Sequence, residues 1–376
     1  MHIVVDCRFV HHSGIGRYIR ELVPRIMERL AEDGFTLLVS PEERDDIFLG
    51  QCERAKLIPL EAGMYSLAEQ WEVPRRVPSC DIFWAPHYNA PLLPVRARKK
   101  IVTIHDMAHL VLQEGLSLPK RLYARLFFWN AAHRYDHILT VSDFSRSEIL
   151  RWEAVPEEKI SVHPIAADTV KYRPCGDEDR KRRVLERYGL PGEYILFVGN
   201  VKPNKNLRRM LEAYALFRRE GTRKTGLVIV GKREGLMTGV MGLDALIRSL
   251  GIEDSVHFTG FVEDEDLPVL YSAAACFVFP SLYEGFGLPP LEAMACGCPV
   301  IASDAASIPE VCGPGALYAD PRNSGDLAAR LRELLGNPAL AAEMTERGFR
   351  RVRRFSWEKA ADGIAGLLTS ERGCRT

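Results

Sequence analysis

Short apolar runs alternate with longer stretches whose apolar positions recur every three or four residues, and the chain does this twice. In the first half the runs Ile3 to Val5, Thr36 to Val39, Ile82 to Ala85, Ile101 to Ile104 and His137 to Val141 predict strands. In the second half Tyr194 to Val198, Leu227 to Val230, Val256 to Phe258, Cys276 to Phe279, Pro299 to Ala302 and Ala316 to Tyr318 do the same. Unbroken apolar strands are those covered on both faces, and intervening helices supply the crossovers of a parallel sheet. The fold class predicted is α/β, with two doubly wound Rossmann-like sheets. The segment Pro164 to Asp179, proline-bearing and then strongly charged, separates the two series and sets the hinge near Ala166. The expected domains are therefore 1–166 and 167–355. From Ser356, a residue suited to capping, an apolar stripe runs to Leu368 and predicts a final helix.

Length agrees with this division, because 376 residues are long for a single core. Apolar residues make up 47% and charged ones 27%, with a formal net charge of zero. That balance excludes a disordered chain and gives no footing to a nucleic-acid-binding role. The nine cysteines include no Cys-x-x-Cys and sit mostly in apolar surroundings, which reads as reduced thiols of a cytosolic protein. His2 to Asp6 enter directly into a strand without a charged leader, and no run of about 18 apolar residues follows, so secretion and membrane spanning are not expected.

The chemistry concentrates in Ser281-Leu-Tyr-Glu-Gly-Phe-Gly-Leu-Pro-Pro-Leu-Glu-Ala-Met-Ala-Cys-Gly-Cys-Pro-Val-Ile-Ala302. It follows a buried strand, Pro289 and Pro290 suit a first helical turn, and Glu284 and Glu292 flank the helix start. Open parallel sheets bind ligands at the carboxyl ends of their strands. Amides of Phe286, Gly287 and Leu288 there would meet a phosphate, and Gly285 and Gly287 remove side chains that would block the approach. Eight helical residues span about 12 Å, too far for a retaining glycosidase pair at roughly 5 Å, so the two acids are expected to grip opposite ends of one long ligand.

These residues resemble the Glu-x7-Glu pattern of the retaining GT-B glycosyltransferases, family 4-like and of the mannosyltransferase-like subgroup. The resemblance implies two Rossmann-like domains facing across a cleft. The first would bind the acceptor and the second the nucleoside diphosphate sugar, with the last helix, 356–376, crossing back onto the first domain. It implies that Glu284 bonds sugar hydroxyls, that the Gly285 to Leu288 amides meet sugar and diphosphate, and that Glu292 holds the ribose. Val198-Gly-Asn-Val-Lys-Pro-Asn-Lys-Asn-Leu207 also follows an apolar strand. The family's Lys six residues after Gly199 is matched by Lys205, while its Arg one residue after that glycine is Asn200 here; Lys202 is a candidate for the missing charge. Two fixed cations would stabilise a departing diphosphate.

Near the amino end, Asp6 to Ile19 contain a glycine loop opening an amphipathic helix, but a dinucleotide fingerprint would need glycine where Ile19 stands. Ser-Gly-Ile-Gly-Arg-Tyr resembles the mannosyltransferase-like members, which carries over Gly14, Gly16 and Arg17 as donor- and acceptor-facing. His105 ends a strand and, by the same resemblance, lies beside the transferred sugar. His109 and His133 with His137 lack a third ligand at metal spacing, and Glu263 to Asp266 read as charge at a helix amino terminus rather than as the Asp-x-Asp of a different glycosyltransferase fold.

The expected activity is retaining, metal-independent and cofactor-free transfer of a hexose to a glycan or lipid-linked acceptor, as in polysaccharide and lipopolysaccharide synthesis. GDP-mannose is preferred as donor; UDP-glucose, dTDP-rhamnose, a non-catalytic sugar-nucleotide-binding subunit and an epimerase stay open. Loops such as Gly231 to Glu234 and Thr259 to Val262 are expected to read the base. Positive charge concentrates between Arg75 and Arg134, and Leu118 to Trp129 mix basic and apolar residues as either a surface-lying helix or a core helix with a solvated basic face. The expected location is cytoplasmic, with peripheral contact at the inner face of the membrane as a further hypothesis.

Overall fold

The computed structural model describes residues 1–41, 47–113, 116–220, 225–231 and 242–370. It divides into one unit of Met1–Ile165 with Ser356–Thr376 and a second of Ala166–Phe355.

The first unit holds a seven-stranded sheet of β1 (His2–Asp6), β2 (Gly34–Val39), β3 (Lys56–Pro59), β4 (Cys80–Ala85), β5 (Ala97–Thr103), β6 (His137–Thr140) and β7 (Ile160–Val162). Their order is β3-β2-β1-β4-β5-β6-β7, and every pairing is parallel. In β1, Ile3 pairs with Phe35 on one side and Ile82 on the other, so this strand lies in the sheet interior, which is why its central residues Ile3 to Val5 are all apolar. The core around Phe83, Val102 and Phe128 lies between the sheet and helix Leu118–Arg134. Helix Trp357–Ser370 belongs to this unit. Ser356 Oγ accepts the amides of Glu358 and Lys359 at 3.1 and 3.4 Å, and Glu358 ties Arg25 Nε of helix Ser13–Arg29 at 2.8 Å.

The second unit holds β8 (Tyr194–Val198), β9 (Gly226–Val230), β10 (Val256–Gly260), β11 (Cys276–Phe279), β12 (Val300–Ser303) and β13 (Ala316–Ala319). Their order is β10-β9-β8-β11-β12-β13, again all parallel. Phe197, Ile229, Tyr214 and Leu331 close one face of this sheet, and burying each such side chain contributes roughly 1.5–3 kcal/mol. The Tyr214 hydroxyl, carried into the core, donates to the Thr225 carbonyl at 2.8 Å, so its burial leaves no bond unmade.

Both sheets reverse their winding once, between β1 and β4 in the first unit and between β8 and β11 in the second. At such a point the loops leaving two neighbouring strands turn to opposite faces and leave a crevice at the carboxyl edge, the usual ligand position in open α/β sheets.

Candidate active site

In the second unit the winding reversal joins the two motifs. The loop after β8 carries the turn Pro203–Lys205, and the loop after β11 leads into helix Leu288–Ala295. The Leu282 amide donates to the Asn204 carbonyl at 2.7 Å, which clamps one loop on the other. Lys205 Nζ then meets Glu284 Oε1 at 2.7 Å, with the ammonium 5.0 Å from the centre of the Phe279 ring. Asn204 Nδ2 donates to the Tyr283 carbonyl at 3.2 Å and to the same Glu284 Oε1 at 3.3 Å. Both contacts fall on one carboxylate oxygen, which leaves Oε2 as an acceptor toward a ligand hydroxyl.

Backbone conformation explains several of the small residues. Asn206 takes a left-handed φ of 58°, which asparagine tolerates better than most residues, and its Nδ2 bonds the carbonyls of Pro280 at 3.1 Å and Pro321 at 2.6 Å. Ser307 Oγ donates to the carbonyls of Glu284 and Phe286, both at 2.9 Å. A Cβ on Gly231 would overlap the Gly199 carbonyl oxygen, so the loops after β8 and β9 approach through bare backbone. Gly287, at φ 105°, is required by conformation and not by space, because a Cβ there would meet only Phe279 at 3.8 Å.

Leu288 is the first residue of helix Leu288–Ala295, and Pro289 and Pro290 have no N–H to offer, so donors at this end come from Leu288 and the turn before it. Phe286 is buried and packs edge-to-face on Phe355 at 5.5 Å, so its contribution to a ligand would be its backbone. Glu292 is 4% exposed, and the Tyr271 hydroxyl donates to its Oε2 at 3.3 Å. Lys202 is exposed.

In the first unit the reversal between β1 and β4 gathers residues that follow β1, β4 and β5. His105, two residues past β5, sets Nε2 2.9 Å from the Pro86 carbonyl. A carbonyl only accepts, so Nε2 carries the hydrogen and Nδ1 keeps its lone pair. Burial pulls this imidazole below its ordinary pKa of 6.5, against the Pro86 bond and the charge of Asp106. Tyr18 packs edge-on against the ring at 4.8 Å. His87 is lowered further, first by burial and then by His105, His109 and His12, and its Nδ1 accepts the Asn89 amide at 3.2 Å.

Gly14 and Gly16 lie in the first turn of helix Ser13–Arg29, not in a free loop. A Cβ on Gly16 would overlap the Val10 carbonyl oxygen, whereas one on Gly14 would have nothing within 4 Å. Packing therefore explains Gly16 and leaves Gly14 to be explained by what approaches it. Arg17 is partly exposed in the same turn.

Three groups escaped the sequence reading. Arg8, buried just past β1, donates to Asp6 at 2.9 and 2.7 Å and to Glu69 at 3.1 Å. Burial opposes the guanidinium charge, and the two carboxylates overcome it and raise its pKa. Asn89 Nδ2 adds a bond to Glu69 at 2.9 Å. Asn204 and Ser307 are the others. Asx and serine residues beside glycine-rich turns are a weak hint of such bracing, but nothing local pairs Arg8 with a residue 61 positions away.

The acidic and histidine runs have ordinary partners. Asp266 accepts Arg187 at 2.7 Å and the Tyr188 hydroxyl at 3.0 Å instead of capping the helix it precedes. His109 lies 3.5 Å from the Tyr88 hydroxyl, His133 3.4 Å from Glu153 and His137 2.9 Å from Ser161 Oγ. Among the described residues no three His, Cys, Asp or Glu side chains form a metal-ligand group, and no helix is long and apolar enough to cross a membrane. Lys232 to Glu234, expected to contribute to base recognition, lie outside the described residues.

Residues 179–351 match the family described as glycosyl transferases group 1, and residues 12–171 match glycosyltransferase family 4. The O-antigen chain mannosyltransferase B of Escherichia coli is 36% identical over 274 residues, which cover 72% of this chain and 71% of that protein. The chain belongs to the group 1, family 4 glycosyltransferases. Serotype-specific mannosyltransferase WbdA of Escherichia coli is 30% identical over 287 residues, 73% of this chain but 34% of that protein, so the match spans about a third of this relative's length. Sucrose-phosphate synthase of Thermosynechococcus elongatus superposes over 98% of both chains with a TM-score of 0.77 at 19% identity. That is a likeness of fold, of the GT-B type.

Proposed function

We propose that this glycosyltransferase moves mannose from GDP-mannose to a hydroxyl of a glycan or lipid-linked saccharide, with retention of anomeric configuration and without a metal ion. The observation that carries the donor site is the Lys205–Glu284 pair, held at 2.7 Å where the second sheet reverses its winding. Mannose is favoured because the relatives described above are mannosyltransferases by name.

In this reading the second unit holds the donor. Lys205, with Lys202 nearby in the same loop, faces the diphosphate, and a cation fixed before reaction stabilises the leaving group without reorganisation. The backbone from Gly199 and from Gly285 to Leu288 donates to phosphate and sugar. Glu284 Oε2 accepts a sugar hydroxyl, while Glu292 faces the ribose at its small remaining exposure. The first unit holds the acceptor, with Gly14 and Gly16 at its helix start. There, His105 is neutral and keeps Nδ1 as an acceptor for a sugar hydroxyl. The acceptor oxygen attacks from the face the diphosphate leaves, and a donor phosphate oxygen takes its proton. The site of action is the cytoplasmic face of a membrane, where a lipid-linked acceptor would be met.

Thermal shift with GDP-mannose, UDP-glucose and dTDP-rhamnose, followed by anomeric analysis of the product by NMR with and without EDTA, tests each part. The expected result is stabilisation by GDP-mannose and an α-linked product in both conditions. Stabilisation by another donor alone, an inverted product or turnover lost to EDTA would each overturn the corresponding part.

A further inference from the structure

A surface helix ordinarily turns one apolar face to the core and polar residues to solvent. Helix Leu118–Arg134 is apolar on both sides. Ala124, Phe127, Phe128, Ala131 and Ala132 are buried, with Phe128 stacked on Tyr88 at 4.0 Å. On the other side Leu118, Leu122, Leu126 and Trp129 are 69, 60, 48 and 44% exposed. Steps of four, four and three residues place them in one stripe along a helix about 25 Å long. None of its seventeen residues is acidic, Arg125 is exposed beside the stripe, and the Arg134 guanidinium lies 5.5 Å from the centre of the Trp129 ring.

A second segment extends this surface. The Tyr65 ring lies 6.3 Å from that of Tyr123 on the same helix. From Tyr65 the chain runs to Leu67 and Trp71, 85 and 58% exposed, with the Arg75 guanidinium 5.7 Å over the Trp71 ring. Of the ten exposed large apolar side chains among the described residues, seven come from these two neighbouring segments. Scattered exposed apolar residues are normal, but a concentration of this kind marks a contact surface.

We propose that this face of the first unit docks on an anionic lipid bilayer. The leucines and Trp129 enter the headgroup region, and Arg125, Arg134 and Arg75 meet lipid phosphates. Charge selects this occupant. A second copy of the chain meeting the first about a two-fold axis would set basic residues against basic residues, whereas an anionic surface complements them. Near such a surface each basic side chain contributes about fivefold in affinity. The surface gives the lipid-linked acceptor of the proposed function a place to be met, but the docking rests on exposure and charge in the first unit and not on the donor.

The test is co-sedimentation of the full chain with phosphatidylglycerol–phosphatidylethanolamine vesicles, with phosphatidylcholine vesicles as the neutral control. The chain is expected to pellet with the anionic vesicles at low salt and to be released as salt rises. Leu122→Gln with Leu126→Gln should weaken binding about tenfold or more. Arg125→Glu with Arg134→Glu should abolish the preference for anionic lipid. Both pairs should keep the wild-type melting temperature and calorimetric binding of GDP-mannose, which separates this surface from the donor site. Wild-type protein that stays in the supernatant, leucine variants that bind undiminished, or a dimer that the leucine variants dissociate would each overturn the proposal.

Discussion

Replacing Lys205 with alanine separates what the Lys205–Glu284 pair does for the fold from what it does for transfer. The two side chains are 17 and 15% exposed, between the surface pairs worth about 0–1 kcal/mol and the buried ones whose disruption costs about 3–5 kcal/mol. Asn204 still donates to Glu284 in the variant, which limits the penalty of leaving that carboxylate without its cation. A loss of about 1–2 kcal/mol follows, with roughly 0.5–1 kcal/mol more from the ammonium over Phe279. In a unit of this size about 2 kcal/mol lowers the melting temperature by roughly 4–8 °C, so the protein stays folded at 25 °C. Loss of a preorganised charge at a developing anion, by contrast, lowers turnover about 100- to 1,000-fold. Release of nucleoside diphosphate from GDP-mannose under saturating donor, measured beside calorimetric unfolding, resolves the two effects. Turnover within tenfold of wild type, or a melting temperature depressed so far that the second unit is unfolded at assay temperature, would refute the reasoning.

Two further outcomes are expected. Gly16→Ala forces a Cβ onto the Val10 carbonyl, 2.8 Å from its carbon and 3.0 Å from the Phe9 oxygen, and should destabilise the first unit by about 2–4 kcal/mol. Gly14→Ala, with open space around it, should melt at or slightly above the wild-type temperature; equal destabilisation of the two by differential scanning calorimetry would contradict the geometry. His87, His105 and His163 are all held below 6.5 by burial, His163 at about 4. Their neutral forms are favoured by the fold, so the associated stability is complete above pH 6.5 and is lost as pH falls, for His163 between 6.5 and about 4. The slope is up to about 1.4 kcal/mol per pH unit for each histidine. Urea unfolding at pH 7.5, 6 and 5 reads it, and a midpoint that does not move between 7.5 and 5 would show that these rings are not shielded.

The interior strands were legible because they are covered on both faces. Tyr194 to Val198 and Cys276 to Phe279 appear at their expected limits, and the other expected runs lie on observed strands with ends shifted by a few residues. The two strands the pattern missed are β3 and β7, one at each edge of the first sheet. An edge strand pairs on one side only and needs less apolar sequence. β3 begins with an exposed Lys56 and ends in Pro59, a residue an edge tolerates because it owes the ladder no N–H on the open side. Helix Leu118–Arg134 was ambiguous for a related reason, since composition alone does not say that its leucines face outward while its phenylalanines face the sheet.

At the candidate site, the pattern along the chain told that the glycine-rich turns, Lys205 and Glu284 lie in loops that follow strands and that Glu292 lies on the helix beyond. It did not tell their relation. Residues 79 positions apart become an ion pair because β8 lies beside β11 in the sheet, and strand order is decided by which faces pack and by the handedness of the crossovers. Periodicity records only which side of its own element a residue occupies, a local property carried by the backbone dihedrals. The same limit hid the Arg8–Glu69 pair. The sequence by itself therefore determined the elements, their alternation and the chemistry available at each strand end. Only tertiary packing, acting between residues with no local connection, decided which strand ends meet, which carboxylate is open and which is buried against Tyr271, and which apolar stripe was left facing outward.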